Sequence, residues 1–128
     1  MSESGDIESF LASYPPEVQA LTQATRSMLL RLLPGITETL DQTARLFGYS
    51  YGPGYKGVVC TLILSQTGVR IGIVRGAELP DPRHLMEGSG KVHRGVVLQK
   101  ITDLKRPGLT PLIKTALASW RKRNRAKS

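Results

Sequence analysis

The sequence predicts an α+β domain in which N-terminal helices and a C-terminal helix pack on a small, mainly antiparallel sheet. Three observations carry this. Apolar residues recur at helical spacing near both ends of the chain. Two β-branched runs in the middle, Val58–Leu64 and Val69–Val74, are joined by a short turn-rich segment. Helices gathered at the ends of a chain, around strands paired in sequence, argue against the alternating order that a parallel sheet requires.

The first element is a short amphipathic helix over residues 6–14. Ile7, Phe10, Leu11 and Tyr14 follow i, i+3, i+4, i+7 spacing, and Asp6 and Glu8 suit a helix N-terminus, where the dipole favours negative charge. Pro15-Pro16 breaks the chain, and Pro16 is suited to open the next helix. That helix spans 16–33. Val18, Leu21, Thr25, Met28, Leu29 and Leu32 make one stripe, and Pro34-Gly35 ends it.

Between Ile36 and Ser50 the sequence reads as one or two short strands, near 37–41 and 44–50. Val58–Leu64 and Val69–Val74 read as a hairpin across the four-residue loop Ser65-Gln66-Thr67-Gly68. In the second of these strands Val69, Ile71 and Ile73 share one face, while Arg70, Gly72 and Val74 share the other. The first is apolar on both faces, which predicts a central strand covered on both sides. A Pro- and Gly-rich loop follows from Gly76 to Gly95, with a helical turn expected at Pro82–Met86, and then a short strand at Val96–Leu98. The last helix is expected to start at Thr110 as N-cap with Pro111 in first position. Its stripe is Leu112, Ile113, Ala116, Leu117 and Trp120.

Composition bounds the rest. The 128 residues, 40% of them hydrophobic and 22% charged, suffice for one core and not two. The net charge is +8. Five of the 18 basic residues (Arg121, Lys122, Arg123, Arg125 and Lys127) fall in the last eight positions, leaving 13 against 10 acidic ones, a body of only +3. We therefore divide the chain into a single domain, 1–120, and a basic, flexible C-terminal tail, 121–128. Weak, salt-sensitive nucleic-acid binding would belong to that tail. Met1-Ser2-Glu3-Ser4-Gly5-Asp6 lacks the basic and apolar regions of a secretion leader, and no apolar run approaches the roughly 18 residues of a membrane span. With Cys60 the only cysteine, set in an apolar run, the expectation is an inert thiol in a cytoplasmic protein without membrane contact.

Several motifs fail on their context. Gly52-Pro53-Gly54-Tyr55-Lys56-Gly57 matches G-x-G-x-x-G, but a strand and not a helix follows, so no helix N-terminus is there to receive a pyrophosphate. Lys56-Gly57-Val58 resembles the start of an RNA-recognition motif, yet Val58 and Cys60 stand where stacking aromatics are needed. Gly88-Ser89-Gly90-Lys91 is not a Walker A loop, since Leu85 and Val92 replace its glycine and its Ser or Thr.

That second glycine-rich turn can nonetheless hold an anion through backbone N–H groups with Lys91, His93 and Arg94. If a strand begins at Lys91, alternation puts Lys91 and His93 on one face and Val92 and Arg94 on the other; otherwise the cations guard an exposed sheet edge. Tyr49, Tyr51 and Tyr55 flank the first glycine loop beside Lys56. Tyr49 and Tyr51 read as structural, and Tyr55 stays open between structure and recognition. His84, His93 and Cys60 show no metal-ligand spacing, and Glu38 with Asp41, like Glu78 with Asp81, is an i, i+3 carboxylate pair in strand or loop context.

Taken together, Phe10-Leu11, Tyr14-Pro15-Pro16-Glu17, Leu29-Leu30, Leu33-Pro34, Glu38-Thr39, Tyr55-Lys56-Gly57-Val58-Val59, Gly88-Ser89-Gly90-Lys91-Val92-His93-Arg94 and Leu112-Ile113 make the chain resemble the YdhG-like domain family, over roughly residues 6–118. This bacterial family is largely of unknown function. The resemblance implies a compact α+β fold of frataxin-like shape. Because some members are described as frataxin-like iron chaperones, it also implies an alternative role in iron binding, for which Glu38 and Asp41 would supply oxygen ligands. The body of the chain departs from the acidic surface such a role uses.

The reading that follows is a binding or accessory module rather than an enzyme, without a resident cofactor. Its loop face, formed by Tyr55, Lys56, Lys91, His93 and Arg94, would engage an anionic small ligand or an acidic protein partner.

Overall fold

The structure, a computed structural model, describes residues 3–88 and 90–125. Ser89 of the second glycine-rich turn and Lys127 of the basic tail lie outside the described residues. Two helices, α1 (Glu3–Leu11) and α2 (Pro16–Leu32), precede five strands: β1 (Thr37–Asp41), β2 (Leu46–Ser50), β3 (Val58–Leu64), β4 (Val69–Ile73) and β5 (Arg94–Leu98). Helix α3 (Leu109–Arg125) closes the chain. The strands form one antiparallel meander in the order β1-β2-β3-β4-β5, so the α+β architecture is as expected.

Helix α1 ends before Tyr14, which instead closes a turn onto the Leu11 carbonyl (3.0 Å) and sets its ring edge-on to Phe10. Helix α2 buries Val18, Leu21, Met28 and Leu29. Its two buried threonines, Thr22 and Thr25, satisfy their hydroxyls on the Val18 and Leu21 carbonyls, both at 2.7 Å. Helix α3 begins two residues earlier than predicted, at Leu109 rather than Pro111. The Gly108 carbonyl accepts from the Leu112 N–H at 2.9 Å, so Gly108 and not Thr110 caps the helix, and Pro111 falls within the first turn, where its missing N–H costs nothing. The helix runs on to Arg125, so the basic segment from Arg121 to Arg125 is helical rather than a flexible tail.

The loop after β4 also departs from expectation. Between Pro82 and Met86 only one hydrogen-bonded turn forms, the His84 N–H on the Asp81 carbonyl (3.1 Å); the Asp81 carboxylate accepts the Leu85 and Met86 N–H groups (both 2.9 Å), so the turn does not continue as a helix. A 3₁₀ turn forms earlier, at Gly76–Glu78. Strand β5 starts at Arg94, so Lys91 and His93 precede the strand and the alternation considered for them does not apply.

The core lies between the helices and one face of the sheet. Phe47 and Tyr49 of β2, Cys60, Leu62 and Leu64 of β3, Val69, Ile71 and Ile73 of β4, and Val96 and Leu98 of β5 are all buried there. Register places Leu62 opposite Ile71, and Ile71 opposite Val96. The other face is not covered by helices. Thr61 and Ile63 on that side of β3 are half-buried, which corrects the expectation of a strand enclosed on both sides. Across this open face the register aligns Thr39, Gly48, Thr61, Gly72 and Gly95, a row of small residues crossing all five strands. Bulkier Leu46, Ile63, Arg70 and Val97 form the adjacent row.

Candidate functional site

The first glycine loop is shaped by backbone contact. A Cβ on Gly57 would fall inside the Gly52 carbonyl group, and the Gly57 carbonyl accepts from the Tyr51 N–H at 3.0 Å. The glycines of this motif therefore serve a tight turn and not a phosphate cradle. The loop ends in a 3₁₀ turn at Tyr55–Gly57 and is tied to α3 by Trp120, whose indole N–H donates to the Lys56 carbonyl at 2.9 Å. Tyr51 packs against the Trp120 ring and donates its hydroxyl to the Pro34 carbonyl (2.9 Å), while Tyr49 is fully buried; both are structural. Tyr55 stands out from this anchor and is 63% exposed.

The second loop reaches the same place by a different route. After β4 the chain turns through Arg75, whose φ of 57° is left-handed, and the Arg75 N–H donates to Nδ1 of His93 at 2.9 Å. The Ala77 N–H holds the Val92 carbonyl at 3.0 Å. His93 then meets the Tyr55 hydroxyl through Nε2 at 2.6 Å. Because Nδ1 accepts a backbone N–H, the neutral ring carries its proton on Nε2 and donates it to the Tyr55 oxygen. The Tyr55 O–H remains able to donate outward.

Beneath this bridge lies a hollow of about 340 Å³ on the open sheet face. Val58, Thr61, Ile63 and Val74 give it a largely apolar floor; Arg70 and Arg94 stand at its side, and no aspartate or glutamate lines it. Arg94 donates Nε to the Gly90 carbonyl (2.6 Å), and Arg70 reaches the Glu87 carbonyl (3.3 Å). Neither guanidinium has a carboxylate partner among the described residues, unlike Arg26 with Glu38, Arg75 with Glu78 and Arg106 with Asp103. Two such cations beside an apolar floor are chemically suited to an anionic group joined to an apolar body.

The five residues singled out in the sequence thus divide. Tyr55, His93 and Arg94 line the hollow together. Lys56 lines a second hollow, of about 180 Å³, which shares Tyr55 with the first, together with Arg75, Arg123 and Asn124. Lys91 is exposed and lines neither. Sequence reasoning missed Arg70 and the apolar floor. The signal for Arg70 was present: an arginine inside a strand, on the face away from the core, two residues before a glycine.

Glu38 and Asp41 occupy different surroundings. Glu38 faces the helices, where its carboxylate accepts Arg26 Nη2 at 2.5 Å, Arg26 Nε at 3.0 Å and the Tyr49 hydroxyl at 2.7 Å. The Arg26 guanidinium also lies over the Phe47 ring, 4.9 Å from its centroid. Hydrogen bonding to Glu38 holds the Arg26 pKa above its ordinary value, and burial pushes that of Tyr49 strongly up. Asp41, by alternation on the opposite face of β1, accepts the Ala44 N–H at 3.0 Å. Any shared ion would have to displace these contacts. Among the described residues no group of three or more His, Cys, Asp or Glu side chains is arranged to hold a metal ion. Cys60 is buried, and desolvation pushes its thiol up to about 12. No helix among the described residues is long and apolar enough to cross a membrane.

No family model matches the chain, and comparison with curated proteins and with solved structures likewise finds no match.

Proposed function

We propose that this chain is a binding module whose open sheet face receives a small ligand with an apolar body and an anionic group. The observation that carries the reading is that Arg70 and Arg94, neither with a carboxylate partner among the described residues, line one hollow with Val58, Thr61, Ile63 and Val74. The anion meets the two guanidiniums, the body covers the floor, and the Tyr55 hydroxyl supplies a directed donor at the rim. The hollow is near the lower end of the 300–1,000 Å³ usual for ligand sites, which suits a compact molecule. Tyr55–Gly57 and Gly90–Arg94, two segments that carry the resemblance to the YdhG-like family, are those that close this site. A sequence with a single cysteine needs no oxidising compartment for its fold, and a cytoplasmic location is part of this proposal.

Fluorescence titration with 1-anilinonaphthalene-8-sulfonate, against its uncharged analogue N-phenyl-1-naphthylamine, tests the reading. The sulfonate should bind saturably at one site on protein with native near-UV circular dichroism, and the uncharged amine should bind markedly more weakly. Arg70→Ala and Arg94→Ala should each lower sulfonate affinity by about tenfold or more, since one charge-assisted hydrogen bond is worth roughly 1.5–3 kcal/mol. Equal binding of the two dyes, or indifference to both substitutions, would refute it.

A further inference from the structure

We infer that the hollow is one end of a longer track for single-stranded nucleic acid, with a base stacked on Tyr55 and phosphates to either side. This rests on the anion-binding reading above and names a partner for the same face.

Tyr55 lines both hollows, the 340 Å³ site and the 180 Å³ site. The two also share Val58 and Val74, so they adjoin at the tyrosine. Cations stand in both, Arg70 and Arg94 in the first and Lys56, Arg75 and Arg123 in the second, and neither lining contains an acid. Arg75 is paired with Glu78 at 2.6 Å, which leaves Lys56 and Arg123 as the second site's cations without an ion-pair partner among the described residues. The last turn of α3 also carries exposed Lys122 and Arg125.

The chemistry between the two cationic groups selects the polyanion. Tyr55 is the most exposed large side chain of its kind, at 63%. His93 meets it at the hydroxyl end, with ring centroids 6.0 Å apart, and does not lie stacked upon it. An aromatic platform between cation-lined hollows is the arrangement by which proteins hold single strands without reading sequence, the phosphates meeting charge and the base meeting the ring. An acidic peptide would satisfy the cations and leave the ring idle. A duplex keeps its bases stacked on one another and unavailable to Tyr55.

Anisotropy with a fluorescein-labelled oligothymidylate of about twelve nucleotides tests this, with a duplex of equal length and a polyglutamate peptide as competitors. The single strand should bind, with affinity falling steeply as salt is raised, and neither competitor should displace it at equal charge concentration. Tyr55→Ala should weaken binding about tenfold, whereas Tyr55→Phe, which keeps the ring and loses the contact with His93, should stay within about twofold. Arg123→Glu should weaken it severalfold, and Lys114→Glu, the same charge change at an exposed site of α3, should not. Displacement by duplex or polyglutamate, or equal binding by Tyr55→Ala, overturns the inference. Sulfonate-dye capture without oligonucleotide binding overturns this inference alone; loss of both removes the small-ligand reading as well.

Discussion

The side chain of Arg70 lies flat across Gly95, so that a Cβ on the glycine would stand 2.8 Å from the arginine Cζ. The two are diagonal neighbours on the open face, Arg70 opposite Val97 and Gly95 opposite Gly72. The guanidinium is held at the hollow because position 95 has no side chain, and what it overlies is the flexible end of Arg70, not backbone.

Gly95→Ala should therefore separate binding from stability. The alanine displaces a movable guanidinium, so sulfonate-dye affinity should fall about tenfold, close to the effect of Arg70→Ala. Unfolding free energy from urea titration should shift by no more than about 1 kcal/mol, since Ala is at least as compatible with a strand as Gly. Unchanged dye affinity would show that the position of Arg70 over Gly95 is irrelevant.

The same substitution at Gly68 should act in the opposite way. A Cβ there would collide with the backbone carbonyl of Leu98 in β5, which cannot move without disturbing the ladder to β4. We expect Gly68→Ala to cost about 1–3 kcal/mol of stability. Dye affinity in the folded fraction should remain near that of the parent.

Glu38 should matter to folding. With Arg26 and Glu38 side chains only 16% and 13% exposed, removing the carboxylate leaves a partly buried guanidinium and the buried Tyr49 hydroxyl without their partner. Glu38→Ala should cost about 2–4 kcal/mol, below the full value for a deeply buried pair because solvent still reaches both groups. Tyr49→Phe, which removes one hydrogen bond and keeps the ring, should cost about 1 kcal/mol. Equal effects for the two variants would contradict this account.

Alkaline pH should destabilise the fold in a defined window. Burial raises the Cys60 thiol from 9.0 to about 12 and raises Tyr49 above its ordinary 10.0. Both groups stay protonated in the folded state after the unfolded chain has begun to ionise, so their stabilising preference is complete below pH 9 and lost as pH rises toward 12. Each group adds a slope of about 1.4 kcal/mol per pH unit once its unfolded form titrates. Cys60→Ala should flatten the stability profile between pH 9 and 10, where Tyr49 contributes little. An unchanged slope would mean that the thiol ionises without unfolding.

The hairpin of β3 and β4 was legible because β-branched runs flank a four-residue polar loop, and α2 because its stripe and its prolines agree. The start of α3 was misplaced by the pull of Thr110-Pro111, since cap preference is weaker than the geometry of Gly108, whose φ of 92° already turns the chain into the helix. The turn expected at Pro82–Met86 does not continue as a helix because one side chain, Asp81, took the backbone donors that a helix would have used internally.

Of the candidate site, Tyr55, His93 and Arg94 are legible in the sequence as an aromatic and polar side chains beside glycines, while Lys91 fits the same description and stands apart. Composition near a turn says that a side chain is available, not where it points.

By itself, the sequence determined which residues share a face of each strand, because a strand's side chains alternate with a period of two wherever it sits. Whether a face is covered was decided only by where the helices pack. All three lie against the side bearing Leu62 and Ile71, which left Arg70 and the apolar floor open. The meeting of Tyr55 with His93, 38 residues away, likewise came from the meander folding β3 beside β4 and β4 beside β5. Local spacing constrains neighbours along the chain, and contacts across a sheet depend on the register of every strand between them.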